Sequence, residues 1–382
     1  MKIVVAPDSF KGSISARDLC TAMRQGIQRV DPAIEIIELP LADGGEGTME
    51  NMVFSTNGDI HEYEVSDPLG RPVKASFGVL GDKQTAVIEM AQASGLPLLA
   101  ERERNPLLAT SYGTGELIRH ALDRGYRQII IGLGGSATND GGTGMLKALG
   151  AKFYDRGGAL LPDGGAALVE LASIDLSEMD PRLIECRFTI ASDVTNPLCG
   201  PHGASAVFGP QKGATPQMVE SLDKGLGCFA DIIANQQGID VRNAPGSGAA
   251  GGMGAAFMGF LHAAFKPGIE LVMEAIHFDT HIQQAHLLIT GEGRLDRQTL
   301  SGKVIAGVCK KAKLYRIPVI ALCGALELSS KQMDQIGLKA AFSIVPKPCT
   351  LDQAMEHAAI WAEQQVEQIM RLILATPFQE RG

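Results

Sequence analysis

The chain has 382 residues, 45 of them glycine, and a formal net charge of −9 with no basic block. That balance excludes the electrostatic footprint of a nucleic-acid binder, and no stretch is apolar for long enough to span a membrane. A chain of this length outgrows one core, so two domains are expected.

Lys2–Ala6 reads as a buried strand that ends at Pro7-Asp8-Ser9-Phe10-Lys11-Gly12-Ser13. Ser15 is placed to cap a helix whose apolar stripe is Leu19, Ala22, Met23, Ile27 and Val30. A second strand, Glu35–Leu39, leads into Leu41-Ala42-Asp43-Gly44-Gly45-Glu46-Gly47-Thr48 and a second helix. After Asn57-Gly58 the texture changes. Ile60–Val65, Val73–Leu80 and Thr85–Met90 are strands with only short turns between them, which is antiparallel material. From Thr114 a helix returns, followed by the strand Gln128–Ile131 and a long glycine loop through Gly144. Residues 151–265 are broken by glycines, with a strand at Arg187–Ala191, a helix near Met218–Ala234 and a small-residue run, Gly246–Gly259, of helical length. The last part is regular. A strand at 287–290 stops at a glycine turn, Gly291-Glu292-Gly293, and helix 304–313, strand 318–322, helix 330–336 and strand 341–345 follow. A long helix opens near Thr350, which has capping-box spacing to Gln353, and Pro377 marks its end.

The expected fold is α/β. Residues 1–58 and 266–382 form a doubly wound, mostly parallel Rossmann-like sheet, into which a mixed α/β domain, 59–265, is inserted; 112–150 fits either domain. A cleft between two such domains is the default ligand site. Seven cysteines without CxxC spacing read as reduced thiols. With no signal-peptide core ahead of Ile3, the expected setting is cytoplasmic, with room for a homodimer.

Five strand-end loops share carboxylates, glycines and small hydroxyls or cations: those at Asp8, Asp43, Ser136–Gly142, Asp193 and 291–303. Phosphoryl transfer needs that mixture, because carboxylates hold Mg²⁺, glycine amides cradle phosphates and one carboxylate takes the acceptor proton. Each loop alone is equally a plain turn. A P-loop is absent, since Val304 follows Gly302-Lys303 and Arg297 holds the first glycine position. Gly132-x-Gly134-x-x-Ala137 with Asp155 further on matches a dinucleotide fingerprint, which keeps open an oxidoreductase of a small hydroxy acid. A non-catalytic binding protein for a small acid is a third reading. Lys212, between Phe208-Gly209-Pro210 and Gly213, is either a phosphate-reaching cation or a surface lysine.

The motifs together carry a resemblance. Asp8-Ser9-Phe10-Lys11, Asp43-Gly44-Gly45-Glu46-Gly47-Thr48, Thr110–Glu116, Gly134–Gly142, Asp193–Leu198, Phe208–Gly213 and Gly291–Asp296 are similar to, and in the order of, those of the bacterial glycerate kinase family. Phe10 and Gly12 depart from the family's Tyr and Glu. The resemblance implies a two-domain α/β enzyme that phosphorylates D-glycerate to 2-phosphoglycerate with ATP and Mg²⁺. Roles then follow from chemistry. Lys11 and Arg71 are expected to hold the glycerate carboxylate, beside Asp8 and Ser9. Gly134, Gly135, Ser136, Thr138, Asn139, Asp140, Gly291, Glu292 and Gly293 are expected to hold the nucleotide, and Asp43, Glu46 and Asp296 the metal. Lys212 and Arg294 are expected to meet phosphates, and Asp193 to act as base, or else to bind Mg²⁺ while Asp8, Asp43 or Asp296 is the base.

Overall fold

The structure, a computed structural model, describes residues 1–301 and 303–375. Gly302 and the expected helix end at Pro377 lie outside the described residues. The strands in chain order are β1 Lys2–Val5, β2 Glu35–Glu38, β3 Asp59–Ser66, β4 Pro72–Val79, β5 Thr85–Glu89 and β6 Gln128–Gly132. Then come β7 Lys152–Asp155, β8 Leu171–Asp175, β9 Arg187–Ala191, β10 Ala264–Lys266, β11 Leu287–Leu295, β12 Val319–Leu326 and β13 Ala340–Ser343. The chain divides into two compact units, Met1–Asp43 with Ile269–Gly382, and Gly44–Gly268. No helix among the described residues is long and apolar enough to cross a membrane.

The first unit holds one sheet, ordered β13-β12-β11-β1-β2, with every neighbouring pair parallel. From β1 the chain winds outward to β2; from β11 it winds the opposite way, to β12 and β13. Right-handed crossovers running in opposite directions put their helices on opposite faces, which makes the unit doubly wound. On one face, helices Ala16–Val30 and Ala358–Ala375 cover Ile3, Val5, Leu287, Ile289 and Leu322 through Leu19, Met23, Ile27, Ala362 and Val366. Ser15 caps the first of these by accepting the Asp18 N–H at 3.0 Å. The Thr350–Gln353 capping box forms as expected, but the helix it opens is only Leu351–Glu356, and the long helix starts again at Ala358.

The glycine turn expected after Thr290 is not there. β11 runs straight through Gly291-Glu292-Gly293 to Leu295, with Gly291 opposite Leu322 and Glu292 opposite Cys323 in β12. The glycines serve strand contact: a Cβ on Gly291 would stand 2.7 Å from the Leu322 carbonyl oxygen.

The second unit holds a six-stranded sheet, β10-β9-β6-β5-β4-β3. β5, β6, β9 and β10 are parallel, while β3 and β4 add an antiparallel edge. Ile88, Ile131 and Ile190 from its strands pack with Leu117, Leu146 and Phe257 from its helices. Segment 44–58, placed with the outer domain by sequence, packs here instead. Helix Thr48–Thr56 lies on β4 so closely that a Cβ on Gly78 would stand 2.4 Å from Val53 Cγ2. Residues 112–150 also belong to this unit. The run 246–259 is not one helix. Ala250, Gly251 and Gly252 take left-handed backbone, with φ of 51°, 67° and 92°, before a regular helix proceeds to Phe260.

Candidate active site

In the first unit the winding reverses between β1 and β11, and open α/β sheets hold ligands beyond the carboxyl ends of their strands at such a point. Backbone pairing fixes the loops there. Ala6 N–H donates to Ile289 O at 2.7 Å, Asp8 N–H to Gly291 O at 2.8 Å and Leu41 N–H to Pro7 O at 2.9 Å. These ties bring Asp8, Asp43 and Glu292 into mutual range. Burial pushes the Asp8 carboxyl up to about 7, with repulsion from Asp43 and Glu292 adding to it and the Ser9 N–H opposing it. That N–H donates to Asp8 Oδ1 at 2.6 Å. Glu292 is also raised, first by burial and then by Asp296 and Asp43, against a hydrogen bond from Thr299 Oγ1 and the charge of Lys303. Lys11 stands exposed on the Phe10–Ser13 turn. Arg294 is 62% exposed and is held by Glu327 at 2.7 Å, with Asp296 at 3.5 Å.

Carboxylates that repel one another across a partly buried strand edge favour a divalent cation. No set of three His, Cys, Asp or Glu among the described residues forms a ready ligand cage. Mg²⁺ does not require one, since it takes one or two carboxylates together with water and substrate phosphates. The Asp8, Asp43 and Glu292 edge therefore fits Mg²⁺.

In the second unit the loop after β6 carries the expected nucleotide residues. Ser136, Thr138, Asn139 and Asp140 are all buried. Lys212 is not a surface lysine: it is 2% exposed and lies under the loop. Its Nζ donates to Ser136 Oγ at 2.7 Å and Thr138 O at 2.6 Å. Burial lowers its pKa to about 7, against the pull of Asp140. Asp140 is itself occupied by protein, accepting from Ser111 N–H and Oγ–H at 2.8 and 2.7 Å and from the Gly142 and Gly144 N–H groups. It ties together the starts of helices Tyr112–Asp123 and Thr143–Ala148. Thr138 Oγ1 and Asn139 Oδ1 are buried without a hydrogen-bond partner among the described residues.

The dinucleotide fingerprint is not realised. No helix opens until Thr143, and Asp155 Oδ1 accepts the Gly157 and Ala159 N–H groups in the separate β7–β8 sheet. A fingerprint acidic residue must instead be free for a ribose. Arg71 is engaged too, by Asp67 at 2.6 Å and Glu103 at 2.7 Å, and so closes the Pro68–Gly70 turn. Asp193 is exposed past the end of β9, and its Oδ1 accepts the Gly268 N–H at 3.0 Å. Glu46 is exposed on the Gly44–Gly47 loop.

The sequence reading does not single out Glu89, the last residue of β5. It is 5% exposed, and burial pushes its carboxyl up to about 7 despite hydrogen bonds from the Met49 and Gly47 N–H groups. A glutamate directly after Ala86-Val87-Ile88 and before Met90 was the available signal.

A family model described as the glycerate kinase family matches residues 3–374. The chain is 50% identical over 369 residues to a glycerate kinase of Bacillus subtilis (strain 168), with 97% of each chain covered. It is 49% identical over 358 residues to a glycerate 2-kinase of Escherichia coli (strain K12), with 94% of each covered. A crystal structure from Salmonella typhimurium LT2, assigned as glycerate kinase 2, superposes with a TM-score of 0.89 at 50% identity, covering 98% of each chain.

Proposed function

This chain belongs to the glycerate kinase family, and from that premise we propose that it transfers the γ-phosphoryl group of ATP to the 2-hydroxyl of D-glycerate, giving 2-phosphoglycerate, with Mg²⁺. The observation that carries the reading is the Asp8, Asp43 and Glu292 cluster at the reversal point of the first sheet. Asp43, Glu46 and Asp296 remain the residues assigned to the metal, with Glu292 added by its place in the cluster. Bound there, Mg²⁺ supplies neutralisation of phosphate charge.

The acceptor hydroxyl oxygen forms a bond to the γ-phosphorus as the bond to the bridging oxygen breaks, ADP departs, and the hydroxyl proton passes to a carboxylate. Sequence alone favours Asp193 as that base, and the geometry supports Asp8 better. A base must be held in place beside the reacting groups, and Asp8 is partly buried next to Asp43 and Glu292 with its N–H tied to Gly291 O at 2.8 Å. Asp193 is exposed, and one of its oxygens already holds the Gly268 N–H. Lys11, with Ser9 beside it, is the better partner for the glycerate carboxylate, because Arg71 would have to leave two ion pairs. Gly134–Asn139 is assigned to the nucleotide, with the Lys212 charge beneath the loop. Arg294 reaches a phosphate only by releasing Glu327.

The test is an ADP-coupled assay with D-glycerate and Mg²⁺, with the product position read by ¹H–³¹P correlation NMR. No ADP formation from folded protein would end the reading. Asp8→Asn is expected to lower kcat by about 10²–10⁴-fold, and Asp193→Asn by far less. The reverse order would return the base to Asp193.

A further inference from the structure

At Gly44 and Gly45 the Gly44–Gly47 loop passes close over the carboxyl ends of β6 and β9. A Cβ on Gly44 would stand 3.0 Å from Ala191 O, and one on Gly134 would stand 2.8 Å from Gly45 Cα. The loop enters helix Thr48–Thr56 through Gly47, whose left-handed backbone (φ 81°, ψ 0°) suits glycine and which brings no side chain to cap the helix. A helix start leaves N–H groups unmet, and an N-cap side chain ordinarily takes one of them. Here the acceptor comes from another element. Glu89 Oε1 takes the Met49 N–H at 2.7 Å, and the Gly47 N–H also bonds this carboxylate.

Glu89 sits in the sheet opposite Gly132 of β6 and is nearly sealed from solvent. Burying a carboxylate is costly unless its hydrogen bonds are made, and a single helix cap would be met more cheaply by a local Ser or Thr. What Glu89 supplies that a local cap does not is a tie between the loop and the sheet edge. That loop carries Glu46 and directly follows Asp43.

We propose that Glu89 is a positioning residue for phosphoryl transfer, locking the Gly44–Gly47 loop to the end of β5 so that Glu46 stands ready for the metal-bound nucleotide. The proposal rests on the assignment of Glu46 to Mg²⁺ made above. Glu89 touches neither substrate nor metal in this role; it acts through the backbone of the loop.

Two variants separate reach from charge. Glu89→Asp keeps the carboxylate but falls one methylene short, whereas Glu89→Gln keeps an acceptor oxygen in place and drops the charge. Hydrogen exchange by mass spectrometry on a peptide spanning 44–52 reads the tie without reference to activity. In Glu89→Asp, exchange is expected to quicken about tenfold. The half-saturating Mg²⁺ concentration is expected to rise about tenfold, while kcat at saturating Mg²⁺ stays within about threefold. Glu89→Gln is expected to stay within about threefold of wild type in all three. Wild-type exchange in Glu89→Asp, or fast exchange with unchanged Mg²⁺ dependence, would overturn the proposal, as would a Gln variant as loose as the Asp one. Glu46→Gln keeps the two assignments apart. An unchanged Mg²⁺ dependence in that variant rejects the metal role of Glu46 and the purpose given to Glu89, while exchange alone still judges the tie.

Discussion

Asp140 accepts four hydrogen bonds at 0% exposure, and three of the donors are backbone N–H groups at the starts of two helices. A carboxylate so occupied organises the loop from within. Asp140→Ala would orphan those donors where water cannot replace it, costing about 3 kcal/mol or more. Asp140→Asn keeps one acceptor oxygen and should cost clearly less. Urea unfolding of both variants checks this. An Ala variant of normal stability with weakened ATP binding would instead make Asp140 a ligand residue. The sequence brought Ser136, Asn139 and Asp140 to notice through their motif. It did not reveal that Asp140 faces inward, because Ser111, the source of two of its four hydrogen bonds, lies far away in sequence and pairs with it only through the fold. The surface alternative for Lys212 fails for the same reason. Local glycine and proline suggest a surface loop, and only the tertiary contacts with Ser136 and Thr138 bury it.

At the scale of elements, strands and helices with plain periodicity were legible. Leu19, Met23 and Ile27 do face the core, and Ser15 and Thr350 do cap. Glycine was the ambiguous letter. Gly291 and Gly293 look like a turn, yet they permit β11 to continue beside β12, where a Cβ on Gly324 would likewise stand 2.8 Å from Gly293 O. The two meanings predict different failures. If glycine serves strand contact, Gly291→Ala forces β11 and β12 apart and lowers stability by about 1–3 kcal/mol, the usual range for overpacking. If Gly291 instead cradled a phosphate, the same change would weaken ATP binding with stability intact. A urea midpoint and an ATP titration on that one variant decide between them. The run 246–259 misled in the same way, since small residues suit a packed helix and also the left-handed crossing at Ala250–Gly252.

At the scale of the molecule, the second unit buries two groups of opposite kind in forms that neutral pH does not favour. Glu89 is raised from 4.5 to about 7 by burial, and Lys212 is lowered from 10.5 to about 7 by burial. For Glu89 the folded state holds its proton longer than the unfolded chain does. Stability is therefore full below about pH 4.5 and falls as pH rises to about 7. For Lys212 the folded state gives up its proton sooner. Stability is full above about pH 10.5 and falls as pH drops to about 7. The two effects meet, so the unit should pass through a minimum near neutrality, each group contributing on the order of a few kcal/mol by linkage. Asp8 places a similar acid arm on the first unit. General acid and alkaline unfolding overlie any raw profile, so differences between variants carry the test. Core amides of β5, β6 and β9, followed by hydrogen exchange from pH 5 to 9 and corrected for intrinsic rate, report this unit by itself. Glu89→Gln should remove the loss between pH 5 and 7 and leave the alkaline arm in place. Lys212→Met should remove the gain between pH 7 and 9, although it leaves Ser136 Oγ and Thr138 O without their donor and so lowers the whole curve. Profiles parallel to wild type in both variants would mean that neither group titrates differently in the folded state, and the buried carboxylate and lysine would then have to be fully ionised at pH 7.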